Sequence, residues 1–409
     1  MRESATNESM AYDLSNLPLK TLIVPLARAE DLLARLDERV AKSPVRDGFV
    51  ERCHFADAAA ALWLDGELVH TEDLVLHDAH MDIRTPTHEL TRAHAVLRAR
   101  RRIFGQKPDW ALSRPGLLVL RGREGQGGVR NGTDAGLSAT DAATVVAGPD
   151  ATAGDNVYAD DHSEQADALA EELAEIDAVL ARSSRLLAGE NLAPRAASGP
   201  DVAEGQGAKA PEMASFDGLG PLIRDLDWDE DQRLADWLAV VDAVKNMPAV
   251  LAAAIASEAW QDIEPLQHQH WLGPLLVGAL LRQRGKVGSH LFCLNAGLRV
   301  VPRERRKSPT RTIRLLAVLD GFAEAASAGL KELDRLALAK SQMERRLRNR
   351  RKSSSLPALI ELVLARPVVS AGLIAAELKI SQRAALGLVA ELGIREVTGR
   401  GRYRAWGFV

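Results

Sequence analysis

SAGLIAAELKISQRAALGLVAEL, Ser370 to Leu392, opens twice on a serine followed by a short run of good helix formers, with only KI between the two runs. A serine ahead of an apolar-periodic segment accepts a hydrogen bond from an otherwise unpaired amide of the first turn, so Ser370 and Ser381 each predict a helix N-terminus. Two capped helices separated by so tight a turn have the helix-turn-helix arrangement. Upstream, LPALIELVLARP reads as a further helix that stops before Pro367.

In such an arrangement the second helix offers its first turn to the major groove of DNA. Gln382, Arg383 and Ala385 are then the residues expected to face base edges, with Ser381 at the cap, while Leu386, Val389 and Leu392 are expected to pack inward. Downstream, IREV and YRAWGF flank TGRGR as two short strands about a glycine-containing turn, the pattern of a wing. Period-two spacing brings Arg400, Arg402 and Arg404 to one face of that ribbon, where they would hold phosphates.

Working outward, the long segment TIRLLAVLDGFAEAASAGLKELDRLALAKSQMERRLRNRR predicts a helix with an apolar start and a basic end; Arg348, Arg350 and Arg351 in that end are further candidates for backbone contact. RERRK at 303–307 lies in the expected loop VPRERRKSPTR and would add phosphate contacts or position the C-terminal unit. From Arg303 to Val409 there are 22 lysines and arginines against 10 acids, whereas the rest of the chain has 30 against 46. A basic end on an acidic chain points to an anionic polymer such as double-stranded DNA, with solvated helix faces as the plainer reading.

The rest is also helical in pattern. Aromatics make up 4% of the 409 residues and strand-like runs are scarce, so the expected fold is mainly α. Residues 1–19 carry little periodicity and are expected to be loosely ordered; 20–121 form an N-terminal helical region; 122–215 have linker composition around one helical island at 164–188. A helical core domain follows at 216–352, with GPLLVGALLRQRG as its buried helix, and the winged unit spans 353–409.

Other chemistry is weakly signalled. Cys53 and Cys293 are far apart in sequence and suggest neither a disulfide framework nor a zinc site. No leader-like or bilayer-length apolar run is present, so a cytoplasmic protein with no membrane partner is expected. HDAH at 77–80 fits no strong metal spacing, and the glycine-rich runs fit no nucleotide-binding loop; no metal or cofactor is expected. His268, His270 and Trp271 precede the buried helix, whose amides could hold an anion, with His70 and Glu67 as partners that the fold could bring close.

The C-terminal segment through GRGRYRAWGF, with WLGPLLVGALLRQRGKVGSHLFCLNAGLRVVPRERR, resembles a family of alphaproteobacterial, rhizobial-type proteins that join a domain of unknown function to a C-terminal helix-turn-helix. The resemblance covers about 20–121 and 216–409 and implies DNA binding in regulation; a homodimer suits that mode, because paired half-sites multiply affinity. More distantly, the order of parts is similar to Fic proteins, which transfer AMP through a loop HPFxxGNGRxxR. Here Ile263 stands at the position of the catalytic histidine, Trp271 stands near that of the arginine, and Asp65-Gly66 only echoes the inhibitory motif, so no catalytic residue is expected. An AMP transferase with an altered loop and a protein-interaction adaptor are the alternatives to DNA binding.

Overall fold

The computed structural model describes residues 12, 14, 16–81, 85–122, 228–347, 355–397 and 404–407. The helical island expected at 164–188 and the candidates Arg348, Arg350, Arg351, Arg400 and Arg402 lie outside the described residues.

The fold is mainly α. In chain order the N-terminal half supplies α1 (Leu19–Ala41), α2 (Arg46–Leu64), α3 (Thr71–Asp78), α4 (His88–Gly105) and α5 (Arg114–Leu120). Next come α6 (Glu230–Ala243), α7 (Ala249–Ile263), α8 (Leu272–Gln283), α9 (Leu294–Val300), α10 (Arg303–Arg306) and α11 (Arg311–Leu347). The C-terminal unit has α12 (Leu356–Ala365), β1 (Val369–Ser370), α13 (Ala371–Leu378), α14 (Gln382–Leu392), β2 (Arg395–Glu396) and β3 (Ala405–Gly407).

Local signals set most of the starts. Thr87, Ser113 and Asp229 accept hydrogen bonds from first-turn amides of α4, α5 and α6, and Pro248 stands just before α7. α8 is apolar on every side and correspondingly buried, from Leu272 through Leu281 apart from the partly covered Pro274. The segment VPRERRKSPTR is not wholly a loop: Pro302 precedes the single helical turn of α10, its fixed φ suiting a helix start.

The blocks expected at 20–121 and 216–352 share one core. α1 lies along α11 and α2 along α9, so Leu33, Leu36 and Phe55 join Leu280, Phe292 and Phe322 in a single apolar cluster. α9 crosses α11 at Gly297 and Gly321: a Cβ at Gly297 would stand 2.0 Å from the Gly321 carbonyl oxygen. Only a residue without a side chain permits that approach. Near the N-terminus, the Tyr12 hydroxyl donates to Glu258 and its ring lies 4.5 Å from the Arg311 guanidinium.

At the centre of the body two fully buried charges face each other. Arg100 on α4 pairs with Asp57 on α2, and Asp57 also accepts from Asn295 Nδ2 and the Ala296 amide, each at 3.0 Å. Burial alone would lower the affinity of Arg100 for its proton, but Asp57, Cys293 and Cys53 together outweigh it and hold the guanidinium above its ordinary range. These contacts join α2, α4 and the start of α9.

Candidate nucleic-acid interface

The C-terminal unit is built from three helices and a small sheet. Ser370 Oγ accepts from the Leu373 amide and Ser381 Oγ from the Ala384 amide, so both serines cap their helices. Lys379 takes the left-handed conformation that turns the chain between α13 and α14, and Gly393 does the same after α14. The sheet has the order β1-β3-β2, both pairings antiparallel, with Trp406 opposite Glu396 on one side and Val369 on the other. The two strands after α14 were legible from the hairpin pattern around TGRGR; β1 was not, because its partner β3 lies beyond both α13 and α14 in the sequence.

α14 presents its first turn to solvent. Gln382 and Arg383 are exposed, as expected. Two neighbours are exchanged relative to the sequence reading: Ala385 is fully buried and Leu386 is 43% exposed. Ala385, Val389 and Leu392 form the inward stripe. A stripe through Leu386, Val389 and Leu392 fits a 3.6-residue period nearly as well, but the small alanine permits the closer approach to α13. Leu386 therefore joins the outer face, an apolar group of the kind that meets a thymine methyl in the major groove. Ser381→Ala is expected to cost about 1 kcal/mol of stability through loss of the cap, read as a lower urea midpoint of the full chain.

Of the three hairpin arginines, the described one is Arg404. It is exposed, pairs with Glu396 at 2.6 Å and lies 5.3 Å from the Trp406 ring. Its hydrogen bond to Glu396 holds its charge above the ordinary range while occupying part of its donor set.

The body orients this unit through the C-terminal ends of two of its helices. Arg52 on α2 donates from Nε to the Leu364 carbonyl at 2.7 Å, and from Nη2 to those of Val363 and Arg366 at 2.9 and 3.0 Å. The intrahelical partner of the Val363 carbonyl would be residue 367, a proline without an N–H, so the guanidinium supplies what the sequence withholds. Arg346, near the end of α11, donates in the same way to the Leu392 and Gly393 carbonyls at the end of α14. Gly48 lets α2 close onto α12, a Cβ there standing 3.1 Å from Leu364.

HDAH contributes a structural acid. Asp78 pairs with Arg101 and with Arg366 of the C-terminal unit, each at 2.7 Å, and His94 stands 3.4 Å away. Burial would raise Asp78, yet its bonds to Arg101 and Arg366 outweigh that and hold the carboxyl below its usual range. No group of three or more metal-ligating side chains occurs among the described residues.

The basic run 303–307 sits elsewhere. Arg305 pairs with Asp320, and Arg306 lies over Trp63 at the far end of α2. From Gly48 to Trp63 is about 22 Å at 1.5 Å per helical residue, so the run does not adjoin the helix-turn-helix. His270 and Trp271 line a cleft of about 220 Å³ with Asp65 and Lys307. Glu67 instead holds Arg92, and His70 precedes α3.

The parts of the chain match known families in this same order. Residues 222–348 match a family described as "Protein of unknown function (DUF1612)", and residues 356–409 match the "HTH DNA binding domain". A protein of Sinorhizobium fredii (strain NBRC 101917 / NGR234), "Uncharacterized protein y4cF", is 46% identical over 401 residues, which is 98% of this chain and all of that one. The chain belongs to the y4cF family. In this y4cF-family member the matched helix-turn-helix contains α12 to α14 and the sheet, while Arg346 falls in the DUF1612 portion. No helix among the described residues is long and apolar enough to cross a membrane.

Proposed function

We propose that the chain binds duplex DNA as a winged helix-turn-helix protein and acts as a transcriptional regulator in the bacterial cytoplasm. α14 enters the major groove with Gln382, Arg383 and Leu386 toward base edges, and the β2–β3 hairpin lies along the backbone. The observation that carries this reading is the solvent-facing first turn of α14 on a unit that matches a DNA-binding domain. Arg400, Arg402, Arg348, Arg350 and Arg351 supply phosphate contacts in this proposal, with Arg404 contributing less because Glu396 shares it. A homodimer reading two half-sites completes it, and no catalytic step is part of it.

A gel-shift titration of the full chain against genomic fragments at several salt concentrations tests the proposal. Arg383→Ala is expected to lose about 1–3 kcal/mol on the preferred site and to relax base preference there. Arg400→Ala with Arg402→Ala should weaken binding to every sequence and lower the slope of log affinity against log salt by roughly one per lost contact. Absence of any shift at low salt sinks the reading.

A further inference from the structure

Within the body, reaching the C-terminal unit at Pro367, lies a cavity of about 440 Å³ that DNA recognition leaves unused. α2, α11 and the turn before α9 wall it with Phe49, Phe292 and Ala325, and small residues such as Ala56, Ala296 and Gly329 keep it open. This volume is within the range of small-molecule sites, and the lining is mostly apolar with a few polar groups, as such sites are.

The polar groups define the occupant. Arg52 and Glu332 are the charged residues of the lining; they stand 3.8 Å apart, Arg52 is committed to three carbonyls and Glu332 to Arg335. His290, buried in the wall, is pushed down to about 4 by burial and is neutral at physiological pH. The Cys53 thiol is held up by its hydrogen bond with Cys293 and by burial, so it stays protonated. A charged guest would lose its hydration without gaining a counter-ion. Thr71, His290 and the thiols can still meet one hydroxyl or carbonyl.

We propose that this cavity binds an uncharged, largely apolar small molecule of about two fused rings bearing one hydroxyl or carbonyl, and that its occupancy alters DNA binding through Arg52 and Pro367. Both residues line the cavity. Arg52 is also the clamp on the end of α12, and Pro367 directly follows that end, so a guest touches the joint by which the helix-turn-helix is held. The second half of this proposal rests on the DNA-binding reading above.

Calorimetry and thermal melting of the full chain with 2-naphthol, against 2-naphthoate as the charged counterpart, test the site. 2-Naphthol is expected to bind and raise the melting midpoint, with the carboxylate at least about tenfold weaker. Ala328→Phe at the exposed mouth should leave the ligand-free midpoint unchanged and weaken 2-naphthol at least about tenfold; Ala328→Leu gives the same reading if the ring is not tolerated. Equal binding of both probes, no binding, or full binding by the filled variants overturns the site. In the gel shift, 2-naphthol should change the apparent Kd for DNA at least about threefold in the native chain and not in the filled variant. Binding without that change overturns the coupling. A chain that shifts no DNA removes the function and the coupling together, while calorimetry still decides the site.

Discussion

Arg100→Met is expected to destabilise the protein by about 3–5 kcal/mol, read as a lower urea midpoint with little change in slope. The effect comes from what is left behind. Asp57 is fully buried, and without Arg100 it keeps only the Asn295 amide group and the Ala296 N–H as described donors. An anion in that position has lost its counter-charge while remaining shielded from water. The carbonyls of Leu291 and Phe292, at 2.9 and 3.4 Å from the guanidinium, lose that donor in the same substitution.

A double variant separates the charge from the packing. Asp57→Leu with Arg100→Met removes both ions and restores apolar volume, so it should recover more than half of the loss. Equal damage in the single and double variants would mean that the junction of α2, α4 and α9, rather than the unpaired carboxylate, carries the cost. A loss under about 1 kcal/mol in the single variant would remove the pair from its structural role altogether.

The C-terminal unit was more legible in the sequence than the body, for a physical reason. Its signals are local: Ser370 and Ser381 act within three residues, Pro367 stops a helix by its own ring, and GRGRYRAW alternates over a few positions. The phase of α14 was less well determined, because Ala385 and Leu386 are adjacent apolar residues and only the packing against α13 decides which turns inward. In the body the deciding partners are remote. Arg52 meets Leu364 across 312 positions, Asp57 meets Asn295 across 238, and Cys293 Sγ stands 3.5 Å from the Cys53 carbonyl across 240. Helical periodicity marks which residues are apolar on each helix, yet it contains nothing about which helix covers which. Arg52, which joins α2 to α12, and Asp78, which holds Arg366, therefore read as ordinary surface charges.

That joint yields the second large effect. Arg52→Met should cost about 3 kcal/mol, because hydrogen bonds from a charged donor contribute about 1.5–3 kcal/mol each and three that share one guanidinium are not additive. The loss is expected to be local first. Native-state hydrogen exchange should show faster exchange along residues 356–365, with α8 little changed, since the carbonyls released lie at the end of α12. Burial has already brought the Arg52 guanidinium down to about 10, with Glu332 acting against that fall, so it remains charged at neutral pH and the substitution removes a full charge. Arg52→Lys is the informative control: an ammonium keeps the charge but cannot reach three carbonyls with a planar fork, so it should restore only part of the protection. Full restoration by lysine would assign the clamp to charge alone. Unchanged exchange in both variants would show that Gly48 packing and the Asp78–Arg366 pair suffice to seat the helix-turn-helix without Arg52.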